Sequence, residues 1–497
     1  MRILNKNNGW SLLAGAACVF GFAPFGIFIV PVLALAVLFA LMQRADSPRA
    51  AAWLGFFFGL GMFSAGINWI YVALHDYGNM PMWLALPAML LFAAFLALLP
   101  TLAGYAQARF LLRSRIPNWM RMVWVMPAVW VLIEWLRGTL FTGFPWLTFG
   151  YAHSDSPLAG YAPLLGVYGV SLVAAVSAGL LARLAIERWS RAGKVALAII
   201  IALWSCGALL RSIAWTQPLG EPFSVALVQG NIAQELKFNQ DALVGTLETY
   251  RRLTLESNAR LTVLPETALP LLRHQAPPAM LEQLRDHAIK NSGDVLIGSF
   301  EHDQGSYYNS VFSLGAADEQ HYRKQHLVPF GEFIPLRSVI GWFINGVLNI
   351  PMGDLARGAK YQAPLNVAGQ RVAVNICYED AFGEEIIRAL PEATLLVNVT
   401  NDAWYGHSFA AAQHNQISQL RALEAGRMML RATNTGVTSI IGADGKILQQ
   451  LPQHEEAVLL GMAQGYQGST PYVRWGNIAV MLLIALMLAC AWSRRDK

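Results

Sequence analysis

Long apolar runs separated by short polar stretches dominate the first 215 residues of the chain, and one more such run lies near its C-terminus. A helix that crosses a bilayer needs roughly 20 mostly apolar residues. The pattern predicts eight membrane-spanning helices, near residues 9–23, 25–42, 51–75, 82–110, 122–137, 164–187, 194–214 and 475–493. The alternative for the first run is a cleaved signal peptide, but no small-residue cleavage site follows it and the apolar pattern resumes at Ile27.

The pattern changes between residues 216 and 473, where short β-branched runs alternate with helix-like stretches. This alternation is typical of an α/β domain. Strands are predicted at 223–229, 261–265, 294–299, 371–377, 394–400 and 437–441, and helices at 240–258, 279–291 and 410–430. The predicted organisation is therefore a seven-helix region over 1–215, an α/β domain over 216–473, and an eighth helix with a short tail over 474–497.

The distribution of Lys and Arg predicts how the chain crosses the membrane. If the N-terminus is cytoplasmic, the inner segments carry 15 of these residues, whereas the short outer loops near 76–81 and 138–163 carry none. Positive residues accumulate in cytoplasmic loops. We therefore expect both termini to be cytoplasmic and residues 216–473 to lie on the other side.

Composition and charge agree with this organisation and exclude one class of partner. Hydrophobic residues make up 55% of the chain and charged residues 13%, against about 25% charged residues in soluble domains. Residues 216–473 hold 18 Lys and Arg but 25 Asp and Glu, so the net charge of +5 originates outside them. The domain has no basic character, which argues against nucleic-acid binding.

The four cysteines limit disulfide and metal chemistry. Only Cys377 lies in the α/β domain, because Cys18, Cys206 and Cys490 fall in apolar runs. No disulfide can form within the domain, and the Cys and His residues show no metal-ligand spacing. We expect no bound metal.

Reactive or polar residues follow three of the predicted strands. Glu266 follows 261–265, Cys377 ends 371–377, and Asn401 begins a polar stretch after 394–400. Ligands of layered α/β folds bind at the carboxyl ends of strands, so these residues are expected to converge on one site.

Each candidate also has an ordinary structural interpretation. Cys377 is a potential thiolate nucleophile or a buried structural cysteine. Glu266 is a potential general base or an exposed loop carboxylate. Lys324 is a potential oxyanion-stabilising cation or a solvated surface lysine.

Their combination is more specific than any one of them. Pro265-Glu266, the stretch 322–332 and Ile376-Cys377-Tyr378-Glu379 resemble, in order and spacing, the nitrilase superfamily of carbon–nitrogen hydrolases. That superfamily has a Glu–Lys–Cys triad on an αββα sandwich. With eight spans added, nearly the whole chain resembles the family of bacterial apolipoprotein N-acyltransferases. The most specific stretches are 229–232, 327–335, 377–379 and 401–406, and 470–472 also fits.

The resemblance implies a role for each candidate residue. Glu266 would be the general base, Lys324 the oxyanion stabiliser and Cys377 the nucleophile. Supporting and substrate-facing residues would be Glu332, Tyr378, Glu379, Phe238, Asn309, Trp342, Trp404 and Trp146. Phe238 departs from the family pattern, where a tryptophan is expected, and this puts fine lipid contacts there in doubt.

The resemblance also implies a reaction and a location. An acyl chain would pass from a membrane phospholipid, through a thioester on Cys377, to the N-terminal amine of a diacylglyceryl apolipoprotein. No cofactor would be required. The protein would lie in the bacterial inner membrane with its catalytic domain on the periplasmic side.

Three features outside the triad have two interpretations each. Trp342 lies in the apolar stretch 340–352, which is either domain core or a lip that dips into lipid. Trp146 is either an interfacial anchor or a contact for a substrate chain. Glu134 lies within the fifth run and is either functional or paired with Arg137 on one helix face.

Two other functions are compatible with the sequence. A membrane-tethered amidase or nitrilase would use the same triad with water as the second nucleophile, although eight spans are excessive for a tether. A non-enzymatic transporter or scaffold would not require Cys377.

Overall fold

The structure is a computed structural model that describes residues 5–111, 116–188, 190–334 and 354–493. Its contacts divide the chain into two compact units. The helical unit comprises Met1–Tyr71, Met82–Ala214 and Arg474–Lys497. The α/β unit comprises Val72–Pro81 and Trp215–Val473.

Apolar helices form the helical unit. They are Lys6–Ala17, Ile29–Gln43, Pro48–Gly66, Trp69–Val72, Met82–Leu111, Asn118–Arg137, Ala162–Glu187, Arg191–Leu210 and Ile478–Ser493. Shorter 3-10 segments occur at Cys18–Gly21, Leu140–Thr142, Phe149–His153 and Pro157–Tyr161, and a π turn at Arg121–Val125. A second π turn, Ala73–Tyr77, belongs to the α/β unit.

The number of helices able to cross a membrane is smaller than the number of apolar runs. Among the described residues, four helical segments are long and apolar enough, namely Met82–Arg109, Asn118–Arg137, Pro157–Glu187 and Arg191–Leu210. A fifth results if Pro48–Gly66 and Trp69–Tyr77, which meet at a 55° bend, form one span. Ile29–Gln43 and Ile478–Ser493 are apolar but shorter. The eight predicted spans are therefore not confirmed.

The stretch predicted as an outer loop after the fifth run is largely buried. Arg137 Nη1 donates to the carbonyl of Phe144 at 2.7 Å, and the N–H of Phe149 donates to Glu134 Oε1 at 2.9 Å. Glu134 and Arg137 thus both hold this loop through its backbone atoms. Trp146 is 3% exposed and packs against Trp69 with ring centroids 5.3 Å apart.

Twelve strands of the described residues form two six-stranded sheets in the α/β unit. They are β1 Thr216–Gln229, β2 Leu261–Val263, β3 Asp294–Asp303, β4 Ser306–Gly315, β5 His321–Arg323, β6 Leu365–Val367, β7 Gln370–Ile376, β8 Leu395–Thr400, β9 Met429–Thr433, β10 Ser439–Ile441, β11 Ile447–Gln450 and β12 Ala457–Gly468. Sheet I has the order β12-β1-β2-β3-β4-β5, and sheet II has the order β11-β10-β9-β8-β7-β6. The neighbours β1, β2 and β3 are parallel, as are β7, β8 and β9.

The inner faces of the two sheets share one apolar core. Leu227 and Val263 of sheet I belong to the same buried cluster as Val374, Val397 and Leu430 of sheet II. The residues of β2, β8 and β9 are buried on both faces of their strands, because helices or the other sheet cover each face. The predicted α/β class is confirmed.

Helices cover the outer faces of the sheets. Gln240–Leu255 and Pro278–Lys290 pack on sheet I, and Ala410–Ala425 packs on sheet II. The last helix is shorter than the predicted 410–430 because Gly426 adopts a left-handed conformation with φ of 61°, which ends the helix and allows β9 to begin. Shorter helices are Gln234–Lys237, Gly383–Ile386 and Pro471–Trp475.

Candidate active site

The carboxyl ends of parallel strands from both sheets meet at one place. Glu266 follows β2 of sheet I, whereas Cys377 and Asn401 directly follow β7 and β8 of sheet II. The backbone N–H of Asn401 donates to Glu266 Oε2 at 2.9 Å. Residues 135 positions apart in the chain are thus in direct contact, as the strand-end argument predicts.

Lys324 and Asn309 both hold the other carboxylate oxygen of Glu266. Lys324 Nζ lies 3.3 Å from Glu266 Oε1, and Asn309 Nδ2 donates to the same atom at 2.7 Å. Asn309 lies on β4, and its carbonyl accepts the N–H of Lys324 at 2.8 Å. Glu266 therefore accepts donors on both oxygens and has little rotational freedom.

Glu332 is a second carboxylate bound to the same two donors. Its Oε1 accepts from Lys324 Nζ at 2.9 Å and from Asn309 Nδ2 at 3.1 Å. Its Oε2 accepts the N–H of Val328 at 2.8 Å, which closes the turn after Lys324. Burial lowers the pKa of Lys324, but the carboxylates of Glu266 and Glu332 outweigh it and raise that pKa well above 10.5. Lys324 is therefore a permanent cation, despite being 1% exposed.

Glu379 ties the lysine segment to the strand that ends at Cys377. Its Oε1 accepts the N–H groups of Gln325 at 2.7 Å and His326 at 3.0 Å, and its Oε2 accepts that of Ile376 at 2.7 Å. Tyr322 also donates its hydroxyl to this carboxylate. Burial raises the pKa of Glu379, although the backbone donors and Lys324 oppose this. Glu379 thus fixes the spacing between Lys324 and the nucleophile.

Cys377 is partly exposed and has an unusual backbone conformation. Its φ of 54° lies in the left-handed region, which non-glycine residues rarely adopt. Burial raises the pKa of its thiol well above 9, and Glu266 adds to the rise while Lys324 opposes it. The resting thiol is therefore protonated and needs a base to become nucleophilic.

Two side chains bind the carbonyl of Cys377 and hold this conformation. Asn398 Nδ2 donates to it at 3.1 Å, and His414 Nε2 lies 3.3 Å from it. Backbone strain persists only where the surroundings enforce it. Asn398 and His414 provide that enforcement from β8 and from the helix on sheet II.

His414 belongs to a buried network of four charged side chains. Its Nδ1 lies 2.9 Å from Asp402 Oδ1, and its Nε2 lies 2.9 Å from Asp380 Oδ1. Arg431 donates to both aspartates, at 2.9 Å and 3.2 Å. Burial and Arg431 lower the pKa of His414, but the two carboxylates outweigh them and raise it from 6.5 to about 9. When His414 is protonated, the cations His414 and Arg431 balance the anions Asp380 and Asp402.

The sequence pattern did not single out this network. Asp380 and Asp402 were visible only as neighbours of Cys377 and Asn401, while His414 and Arg431 lie on a helix and a strand with no motif of their own. The available signal was the helix 410–425, whose residues are buried almost all around although many of them are polar. Polar residues on a fully buried helix indicate an internal hydrogen-bond network.

The aromatic residues predicted to lie at the site differ in exposure. Phe238 is 40% exposed, with its ring 6.5 Å from that of Phe300. Trp404 is partly exposed and packs edge-on against Tyr77. Tyr378 is buried between His326 and Phe382.

The positions of two further tryptophans predicted to face substrate stay predictions. Trp146 belongs to the helical unit, and Trp342 lies outside the described residues. Within the described ranges, no group of three or more His, Cys, Asp or Glu side chains has the geometry of a metal site.

The backbone of Glu266 packs directly against Gly298, in the space that a side chain at position 298 would fill. A Cβ atom at this position of β3 would lie 2.9 Å from Glu266 Cα and 2.7 Å from the nitrogen of Thr267. Gly298→Ala is therefore expected to displace Glu266, to destabilise the α/β unit by about 1–3 kcal/mol and to lower activity further than stability alone explains. Thermal melting and activity of the purified chain measure the two effects. Gly245→Ala is the matched control, because nothing lies within 4 Å of its added Cβ, and equal behaviour of both variants would contradict the prediction.

Comparison with known proteins assigns both parts of the chain. Residues 14–180 match the family described as apolipoprotein N-acyltransferase N-terminal domain, and residues 224–472 match carbon-nitrogen hydrolase. An apolipoprotein N-acyltransferase of Nitrosomonas europaea is 52% identical over 494 residues, covering 97% of each chain. That of Ralstonia nicotianae is 46% identical over 98% of this chain and 93% of its own length.

Similarity to solved structures is weaker. A CN-hydrolase superfamily protein from Xanthomonas campestris is 16% identical, has a TM-score of 0.38, and covers 54% of this chain and 97% of its own.

Proposed function

Because the chain belongs to the apolipoprotein N-acyltransferase family, we propose that it transfers an acyl chain from a membrane phospholipid to the N-terminal amine of a diacylglyceryl-cysteine lipoprotein. Cys377 carries the acyl chain between the two substrates as a thioester. The observation that carries this proposal is the buried Glu266 carboxylate, which Lys324, Asn309 and Asn401 hold at the strand ends where Cys377 also lies.

The first half-reaction forms the thioester. Glu266 takes the thiol proton of Cys377, and the thiolate attacks the ester carbonyl of the phospholipid. The raised pKa of the thiol makes this base necessary. When the tetrahedral intermediate collapses, the proton moves from Glu266 to the departing oxygen of the lysophospholipid.

Lys324 and the backbone N–H of Tyr378 stabilise the oxyanion of that intermediate. Lys324 suits this role because it is buried and remains charged, and electrostatic stabilisation is strongest where water is excluded. Glu332 and Glu379 support the site. Glu332 binds Lys324, and Glu379 joins the segment that follows Lys324 to the strand that ends before Cys377.

The second half-reaction brings the amine. The nitrogen of the acceptor attacks the thioester, and Glu266 passes a proton from this nitrogen to the departing sulfur. The kinetics are ping-pong. A thioester is already activated toward amines, so we expect no metal, nucleotide or other cofactor.

Exposed and partly exposed aromatic residues are candidates for contact with the acyl chains. Phe238 and Trp404 have the required exposure, and Asn309 lines the site beside Glu266. Trp146 and Trp342 remain proposals from the family resemblance alone.

We further propose eight spans, with both termini in the cytoplasm and an extracytoplasmic α/β domain in the bacterial inner membrane. The domain boundaries are 1–215, 216–473 and 474–497. The distribution of Lys and Arg supports this orientation, and both substrates require acyl chains to remain in lipid.

Labelled phospholipid tests the proposal directly. Intact-mass measurement of the full chain in detergent, after incubation with a phospholipid labelled in its acyl chains, should show one added acyl group. Cys377→Ser should show no hydroxylamine-sensitive adduct. Absence of a thioester on the wild-type chain would overturn the proposed function.

Addition of an acceptor separates the transferase from a hydrolase. The acyl-enzyme should pass its label to a diacylglyceryl lipopeptide faster than it releases free fatty acid. Fatty acid as the main product would favour the amidase-like alternative, and full function of Cys377→Ala in cells would favour a scaffold.

A further inference from the structure

A buried hydroxyl group beside the nucleophile has no hydrogen-bond partner in the resting protein. Thr400 is the last residue of β8 and is fully buried. Among the described residues, no group forms a hydrogen bond of normal geometry with its Oγ1 atom. Its register partner on β9 differs, because the hydroxyl of Thr433 lies 2.9 Å from that of Thr438. Native proteins usually satisfy their buried hydroxyls, so this exception calls for a functional explanation.

The register of sheet II places Thr400 beside Cys377. Strands β7 and β8 are parallel, with Ile376 opposite Val399. The next residues along the two strands, Cys377 and Thr400, are therefore neighbours. Asn398 lies two residues before Thr400 and thus on the same face of β8, and it donates to the carbonyl of Cys377 at 3.1 Å. The face of β8 that carries the Thr400 hydroxyl is therefore the one turned toward the nucleophile.

The backbone on both sides of the Thr400 hydroxyl is fixed. The carbonyl of Thr400 accepts the N–H of Asn434 at 3.2 Å. The next N–H along the chain, that of Asn401, donates to Glu266 Oε2 at 2.9 Å. Threonine is also stiff about its first side-chain bond. The Oγ1 atom thus has a defined position, and its hydrogen can turn toward the sulfur.

The thiolate of Cys377 lies where a further donor is needed. Burial and Glu266 raise the pKa of the thiol, while the charge of Lys324 and a hydrogen bond from the side chain of Thr400 lower it. Lys324 is also bound to two carboxylates, those of Glu266 and Glu332. A hydrogen bond to an anion is about twice as strong as one between neutral groups. The hydroxyl therefore favours the thiolate over the thiol.

We propose that Thr400 is a further catalytic residue, whose hydroxyl donates a hydrogen bond to the Cys377 sulfur whenever this sulfur carries negative charge. This role rests on the acyl transfer proposed above. In the first half-reaction the thiol proton moves to Glu266, and Thr400 stabilises the thiolate that attacks the ester. In the second half-reaction Thr400 stabilises the sulfur that departs from the thioester, until Glu266 delivers a proton to it. The hydroxyl keeps its own proton throughout, so the proton balance of the reaction is unchanged.

Thr400→Val tests the role, because valine has the shape of threonine and removes only the hydroxyl. In the full-length chain in detergent, thioester formation from labelled phospholipid should fall about 10–100-fold, the range that a hydrogen bond to a charged group provides. The melting temperature should stay the same or rise, because no partner of the hydroxyl is left unpaired. Thr254→Val is the control, since its buried hydroxyl donates to the carbonyl of Tyr250, and it should leave the rate of thioester formation unchanged.

Thr400→Ser and Thr400→Ala form a second pair of variants that differ only in the hydroxyl. Both lose the same methyl group, so the serine variant should form the thioester about tenfold faster than the alanine variant or more. This comparison holds even if the valine variant does not fold. Equal rates in the pair, or thioester formation at the wild-type rate in Thr400→Val, would overturn the proposal.

Alkylation of the thiol tests the same role without lipid. Iodoacetamide reacts with the thiolate, and peptide mass measurement reports the modification of Cys377 separately from that of the other cysteines. At equal pH, Thr400→Val should be modified about tenfold more slowly than wild type, and Thr400→Ser should be modified faster than Thr400→Ala. Equal alkylation of wild type and the valine variant would contradict the role. If the wild-type chain forms no thioester, the proposed function fails, whereas the alkylation difference would still identify Thr400 as a donor to the thiolate.

Discussion

Replacement of Lys324 by methionine is expected to abolish acyl transfer by removing the cation that separates two carboxylates. Glu266 Oε1 and Glu332 Oε1 both accept from Lys324 Nζ and from Asn309 Nδ2. Without the lysine, the buried carboxylates of Glu266 and Glu332 share only the side-chain amide of Asn309. Two carboxylates this close repel each other, and the pair takes up a proton. Glu266 then loses strength as a base, and the oxyanion loses its cation.

The two losses should combine into a large effect on thioester formation. Removal of an oxyanion donor alone costs about 10²–10³-fold, so we expect a decrease on the order of 10³-fold or more. Breaking a buried ion pair from one side also costs about 3–5 kcal/mol of stability. Rates from mass measurement and melting temperatures in detergent give the two quantities.

The double variant Lys324→Met with Glu332→Gln separates charge balance from catalysis. It removes one anion together with the cation, so it should recover much of the lost stability but none of the activity. If Lys324→Met alone retains activity within tenfold of wild type, Lys324 does not stabilise the oxyanion. Recovery of activity in the double variant would show that the lysine acts only on Glu332.

Raising the pH from 6.5 to 9 is expected to remove the stabilising contribution that His414 makes to the α/β unit, as seen in the difference between wild type and a His414 variant. The pKa of this histidine is raised from 6.5 to about 9 in the folded state, because Asp380 and Asp402 outweigh burial and Arg431. A group with a raised pKa contributes its full stabilisation below the unfolded value and loses it as pH rises through the folded value. The loss should approach about 3 kcal/mol.

Melting of the detergent-solubilised chain at a series of pH values measures this effect. His414→Asn should be less stable than wild type at pH 6.5, and the difference should shrink toward pH 9. Thiol ionisation in the unfolded state acts mainly above this range, so it does not imitate the effect. Parallel pH profiles of the two proteins would contradict the proton assignment. Loss of the Cys377 backbone geometry predicts reduced thioester formation in the same variant at every pH.

The strand ends were predictable because each reactive residue follows a short apolar run. Glu266, Cys377 and Asn401 could be placed at one edge by the general behaviour of α/β folds. The sequence did not indicate which donors would hold Glu266. Asn309 lies inside the long strand β4, with no local signal that distinguishes it from other polar strand residues.

Lys237 and the His414 network show a different limitation of the sequence. A lysine is usually solvated, and no local pattern indicates that Lys237 lies 3.0 Å from the carbonyl of Glu266. His414 and Arg431 acquire their partners only when the helix on sheet II packs over β8 and β9. Burial and charge pairing of this kind are properties of tertiary packing, which periodicity does not specify.

Hydropathy was also a poor guide to helix length. Run 9–23 appeared continuous, yet its helix ends at Ala17 and continues as a 3-10 turn, and run 51–75 bends by 55°. The stretch 138–163 was predicted as an outer loop, and the sequence did not indicate that most of its residues would be buried, with Arg137 and Glu134 binding backbone atoms of the loop.

The hydrogen bond from Asn401 to Glu266 Oε2 has a consequence for biosynthesis. The chain is made from its N-terminus, so Glu266 and Lys324 are translated before Cys377, and Asn401 is translated last. The base lacks one of its donors until β8 has joined the second sheet, and in an unfolded chain neither Glu266 nor Lys324 lies beside the thiol. Acylation of Cys377 by surrounding lipid therefore begins only when the domain is complete.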